Sequence, residues 1–139
     1  KAIREFAGDR AVLRAFHFFE ENKRVDAEVE ALEKKDFATF FNKITESGDS
    51  SWKWLQNCYC NETPDEQSIT VALALTKLYL DKIGRGVCRV HGGGFAGVIA
   101  AFLPKEETEG FTKYIDKALG EGSAYVMHIR PQGAVKIEF

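Results

Sequence analysis

The residues best suited to chemistry lie between positions 85 and 103, which read RGVCRVHGGGFAGVIAAFL. Gly92, Gly93 and Gly94 follow one another, and Gly97 comes after Phe95 and Ala96. Successive glycines tolerate positive φ and let another group approach the backbone closely. Consecutive amide N–H groups in such a turn can form a concave anion site. Arg89 and His91 flank the glycines and can meet an anion there; structural hydrogen bonding accounts for both equally well. On spacing alone, a tight connection between two strands is the simpler reading. The lysine–hydroxyl pair of a P-loop and the G-x-G-x-x-G order of a dinucleotide site are both absent.

Nothing else in the sequence assembles a catalytic centre. No serine–histidine–acid or cysteine–histidine order stands out, so no catalytic residue is assigned. The three cysteines, Cys58, Cys60 and Cys88, are odd in number, and Cys58-x-Cys60 lacks the spacing of a zinc knuckle. Free or buried thiols in a reducing compartment are expected, with no metal site and no disulfide framework.

Several elements must position the loop. Gly8 reads as a break and Asp9 as a cap. Ala11, Ala15, Phe18, Val25, Val29 and Leu32 recur at helical spacing, which predicts a helix over about 9–34 with one apolar stripe. His17 sits among aromatics without a partner in sequence, and the run 20–24 reads as a solvated charged face. Asp36 can cap a second helix whose apolar face holds Phe37, Phe40, Phe41 and Ile44 and which Gly48 closes. The short break between the two predicts an antiparallel pair. Ser50 and Ser51 can start a short helix carrying Trp52, Trp54 and Leu55. Thr63-Pro64-Asp65-Glu66 has the pattern of a helix start. The helix after it is apolar nearly all round and is therefore expected to be buried, ending at Gly84.

Residues 87–90 and 98–103 are short apolar runs on either side of the glycines, predicting strand, turn, strand. Pro104 stops the second. A helix carrying Phe111, Ile115, Ala118 and Leu119 follows and ends at Gly120. Residues 123–130 alternate, with Tyr125, Met127 and Ile129 on one side, and predict a strand. Val135, Ile137 and Phe139 predict a last hairpin strand. The class is α+β: a mostly antiparallel sheet with helices packed on it, in one domain over 1–139, helical over about 9–83 and carrying sheet, glycine loop and helix over about 85–139.

Composition narrows the function classes. Apolar residues at 45% and charged residues at 29% describe a globular chain, not a disordered one. A formal net charge of −2 with no basic run argues against a nucleic-acid surface. There is no apolar span for a membrane and no secretory pattern, so a cytoplasmic protein is expected. The single methionine, Met127, is internal and the sequence opens on Lys1, which leads us to expect a piece cut from something longer.

The segment RVHGGGFAG resembles the third conserved motif of the galactokinases, within the GHMP sugar and metabolite kinases. Upstream, LRAFHFFEENKRVDAEVEALEKKDFATFFNKITESGDSSWKWLQN resembles the helical part of the galactokinase C-terminal half. Downstream, GEGSAYVMHIRPQG resembles the last strand of those enzymes, so the likeness runs from about Leu13 to Gly133. It implies the ferredoxin-like C-terminal domain of a GHMP kinase. It also implies an ATP-dependent sugar kinase in the intact protein, converting galactose and ATP to galactose 1-phosphate and ADP with Mg2+. The third motif lies against the phosphate-binding loop, so Gly92, Gly93, Gly94, Phe95, Ala96 and Gly97 inherit a role in supporting the nucleotide loop. Many galactokinases have glycine where Ala96 stands. The sugar site, catalytic acid and main phosphate loop would lie in an N-terminal half, the implied partner. The isolated chain is therefore expected to be inactive, to hold neither ATP nor Mg2+ tightly, and to self-associate through Phe95, Trp52 or Trp54. Gly93 is expected to need a special backbone conformation or a close neighbour. A related kinase for another small sugar or alcohol stays open, as does a stand-alone, non-catalytic ligand-binding or regulatory domain.

Overall fold

The computed structural model describes residues 1–95 and 97–136. Among these, four α-helices and one two-stranded antiparallel sheet make an α+β architecture that is mostly helical. The sheet is antiparallel, as expected, but only two-stranded, and no ferredoxin-like sheet is evident among the described residues. Residues 123–130 alternate as a strand should but pair with nothing there. Their apolar side chains are exposed, Ile129 at 92%. Alternation makes a strand possible; a free edge in the right place makes it real. The predicted last strand lies partly outside the described residues, since Ile137 and Phe139 are beyond them.

Helix α1 runs Ala2–Glu33 and is interrupted at Gly8, whose φ of 81° and ψ of 172° are not helical. The break therefore falls where the sequence put it, and a further helical turn precedes it. Helix α2, Phe37–Ser50, starts on Asp36, whose carboxylate accepts from the Thr39 amide at 3.0 Å. It does not stop at Gly48 but runs on into a π-helical turn, Ser51–Leu55, which Gln56 ends with φ 57°. Gly48 serves packing instead. A Cβ there would lie 3.2 Å from Arg89 Cβ, so its absence lets α2 approach the sheet closely.

From Phe18 onward the apolar stripe of α1 faces outward. Phe18, Val25, Val29 and Leu32 are exposed, whereas His17 and Ala31 are buried. The inward face is polar because α2 and the sheet present polar partners to it. His17 Nδ1 lies 2.9 Å from Ser50 Oγ. The Glu21 carboxylate accepts from Ser47 Oγ, from Arg24 Nε at 2.8 Å and from Arg89 Nη1 at 3.1 Å. Charges at 20–24 are thus partly a packed seam, not a solvated face.

Helix α3, Ser68–Ile83, begins later than the sequence suggested. Pro64 sits in a turn closed by Glu66 N to Thr63 O at 3.0 Å. Gln67 clamps that loop, its Nε2 donating to Cys60 O at 2.8 Å and its Oε1 accepting from Cys60 N at 3.3 Å. Nor is α3 buried all round: Ile69, Thr76 and Leu80 are inside, while Val71 and Leu78 are exposed.

Strands β1, Val87–His91, and β2, Val98–Phe102, pair antiparallel as predicted, with Val87 opposite Phe102 and His91 opposite Val98. On one face, Arg89 meets α1, and Phe102 stacks near Phe40 and Phe41 of α2 at 6.3 and 6.4 Å. On the other, Val90 packs with Cys58 and Ile69, with Leu73 and Ile99 beside them. The hairpin is held between helices on its two faces. A short 3-10 turn, Lys105–Glu107, leads into α4, Thr108–Leu119. This helix buries Phe111 and Ile115 and leans on α3 through Tyr79, 5.4 Å from Phe111.

Two outcomes test this arrangement. Glu21→Leu should cost about 1–3 kcal/mol because it strands two arginines and a serine, while Val25→Ser on the exposed stripe should stay within about 0.5 kcal/mol. Chemical denaturation of both variants checks the order; the reverse order would return the stripe to the core. The second outcome concerns pH. Burial holds His17 below its ordinary value of 6.5, with Glu21 opposing and Arg24 and Arg89 adding to the effect. The unfolded chain then binds the proton first, so this contribution is complete above 6.5 and is lost as pH falls toward the folded value. Melting temperatures should drop more steeply on acidification for the wild type than for His17→Asn.

Candidate functional site: the glycine loop

The loop joins β1 to β2 and is shaped by one residue the sequence did not single out. Asn57 is 2% exposed and follows the left-handed Gln56 that ends the π-helical turn. Its carbonyl accepts from Phe95 N at 2.7 Å, and its side-chain Nδ2 donates to Gly93 O at 3.3 Å. Within the loop, Gly97 N donates to Gly94 O at 3.1 Å. The amides of Phe95 and Gly97 are therefore taken. The glycine amides at 92, 93 and 94 are left as the loop donors outside these turn bonds.

Close approach is required at Gly94, not at Gly93. Gly94 has φ 77°, and a Cβ there would overlap the Asn57 carbonyl oxygen and lie 2.7 Å from its Nδ2. A Cβ at Gly93 would meet nothing within 4 Å and its φ is not in the left-handed range. Within the chain, the expectation placed on Gly93 is thus carried by its neighbour. Phe95 also adopts a left-handed conformation, φ 58°, with its ring 46% exposed. A positive φ in a bulky residue is uncommon and persists where surrounding contacts fix it. Here the short bond to Asn57 does so. Ala96 lies outside the described residues.

The two flanking residues part company. Arg89 is engaged with Glu21 and with the Val90 carbonyl, to which Nε donates at 3.0 Å. His91 is exposed at the strand end. The structure brings Gly92, Gly93, Gly94, Phe95 and Gly97 into one turn and holds the Arg89 guanidinium in the helix seam. Sequence signals for Asn57 were slight: a polar residue far from the loop along the chain.

A separate groove of about 330 Å³ follows the outer edge of β1 between α2 and α3. Gly48, Trp52, Leu73, Lys77 and Cys88 line it, and no residue of the glycine loop does. Cys58, Cys60 and Cys88 are free thiols, and burial pushes the Cys58 and Cys88 thiols up. No helix among the described residues is long and apolar enough to cross a membrane.

The loop geometry makes a graded prediction. Gly94→Ala combines backbone strain of about 1–3 kcal/mol with displacement of Asn57, whereas Gly93→Ala should change stability by less than about 0.5 kcal/mol. Thermal melting of the two variants side by side decides it, and equal losses would mean the loop is not fixed by Asn57. Comparison of the chain with known protein families, curated proteins and solved structures finds no match.

Proposed function

We propose that the chain is the C-terminal part of an ATP-dependent sugar kinase of the galactokinase type, forming galactose 1-phosphate in the cytoplasm when joined to its N-terminal half. The observation that carries this reading is the fixed, left-handed Phe95 at the tip of a glycine turn. Its backbone is tied to Asn57 at 2.7 Å while its ring faces outward. Such strain without internal use suits a surface that braces something outside the chain. In a phosphoryl-transfer enzyme, catalysis is mainly positioning and electrostatic stabilisation. A rigid wall behind the phosphate loop contributes to both without supplying a base.

The donors present fit support of a phosphate loop, not capture of a nucleotide. Two of the loop amides are taken internally and Arg89 is bound to Glu21. ATP and Mg2+ therefore belong to the complete cleft, as does the sugar. The ferredoxin-like sheet belongs to the same reading. Strand β2 leads through α4 to the alternating residues 123–130, and a strand–helix–strand unit implies two parallel strands in one sheet. A strand from the N-terminal half, lying against β2, would complete that sheet.

Full-length protein should convert galactose and ATP to galactose 1-phosphate, and the isolated chain should not. In the full-length enzyme, Phe95→Ala should leave the melting temperature unchanged, because the ring packs against no described core, yet lower kcat/KM on the order of tenfold or more. Wild-type activity in Phe95→Ala would reduce the loop to a turn. Absence of sugar phosphorylation by the full-length protein would remove the kinase reading altogether.

A further inference from the structure

The outward stripe of α1 is more ordered than an accidental apolar patch. Ala11, Ala15, Phe18, Asn22, Val25, Val29 and Leu32 succeed one another at alternating steps of four and three. That is the seam of a coiled coil, sustained for three heptads, with one polar residue, Asn22, at a seam position. A single asparagine there fixes register at some loss of stability. Helix α1 is continuous over 9–33, a length of about 37 Å at 1.5 Å per residue. From Phe18 to Leu32 the seam residues are exposed, including Asn22. Nothing else in the described residues uses this face.

From Phe18 to Leu32 the rims of the seam carry one sign of charge; the rim cation Arg14 lies nearer the N-terminus, where its Nε donates to Leu55 O at 3.5 Å. Asp26 and Glu33 border it on the outer side, and Glu28 on the inner side. None of the three forms an ion pair among the described residues, although most other charges of α1 do. Glu28 is half-buried, and that burial, above all, pushes its acidity toward the neutral form. Two copies of α1 laid seam to seam would set these carboxylates against each other. The occupant that fits has the opposite rim.

We propose that α1 docks an amphipathic helix of a separate protein, one with an apolar heptad seam, a polar residue facing Asn22, and lysine or arginine along its rims. Apolar burial would give affinity, and the basic rims would select the partner and set its direction. The proposal does not rest on the kinase reading, since it concerns a face remote in sequence from the glycine loop.

The probe is a synthetic helical peptide with leucine and isoleucine at seam positions, one asparagine among them, and lysine at the rims. A second peptide carries glutamate at the same rims. Fluorescence anisotropy with the 139-residue chain should show the lysine peptide binding at least about tenfold more tightly than the glutamate peptide, and more weakly as salt is raised. Val25→Asp with Val29→Asp should abolish binding while circular dichroism shows an intact fold. Asp26→Lys with Glu33→Lys should invert the preference between the peptides. Equal binding of both peptides, binding of neither, or an unchanged preference after charge reversal would overturn the proposal. Dimerisation of the chain that Val25→Asp removes would assign the face to a second copy instead. Failure of full-length protein to bind the lysine peptide would assign it to a segment of the same polypeptide.

Discussion

The Glu21 carboxylate is the joint on which the arrangement depends. It belongs to α1, yet it accepts from Ser47 of α2 and from Arg89 of β1, besides Arg24 one turn along its own helix. Three elements, one of them far along the chain, therefore meet at one carboxylate. A partly buried carboxylate is costly alone and stable when fully hydrogen-bonded. Burial works against the charged form, but Ser47, Arg24 and Arg89 outweigh it, and the group stays more acidic than usual. Once α1 is attached through this polar seam, its apolar stripe has to face elsewhere. The outward stripe and the seam are one choice seen from two sides.

The glycine loop depends on a second long-range contact of the same kind. Asn57 reaches it from the segment after the π-helical turn, and that segment is held by Gln67 and by Thr70, whose hydroxyl donates to Cys58 O at 2.8 Å. Cys58 itself is in the small core with Val90 and Ile69. The path from core to loop is therefore short and rigid: Cys58 is packed, Asn57 is its neighbour, and Asn57 bonds Phe95 and Gly93. A loop of glycines, flexible by composition, is made definite by a residue outside it.

What the sequence disclosed was local. The break at Gly8, the Asp36 cap, the end of α3 at Gly84 and the hairpin around the glycines rest on neighbouring residues, and all four stand in the structure. What it concealed was pairing. Apolar periodicity located the stripe of α1 but could not say which face turns inward, because that was decided by Ser47, Ser50 and Arg89 on other elements. Thr63–Glu66 has a helix-start pattern, yet Gln67 uses its side chain on Cys60 and the helix waits until Ser68. The special glycine was placed at Gly93 by resemblance, and the contact that singles out Gly94 comes from Asn57. The alternation at 123–130 described a strand correctly as a pattern, without the edge that would make it one.

The three thiols differ in chemical character. Hydrogen bonding from Thr63 to its sulfur holds the Cys60 thiol below its ordinary value, while burial raises those of Cys58 and Cys88. Thiolate, not thiol, is the nucleophile. The turn therefore favours the thiolate at Cys60, whereas burial disfavours it at Cys58 beside β1 and at Cys88 within it. An adduct at Cys60 would strike the tether between the π-helical turn and α3, where Gln67 grips the Cys60 backbone. It would leave the Val90 core closed. Cys60 thus lies on the strap that leads to Asn57, and a change there would pass to the glycine loop through Tyr59 and Cys58.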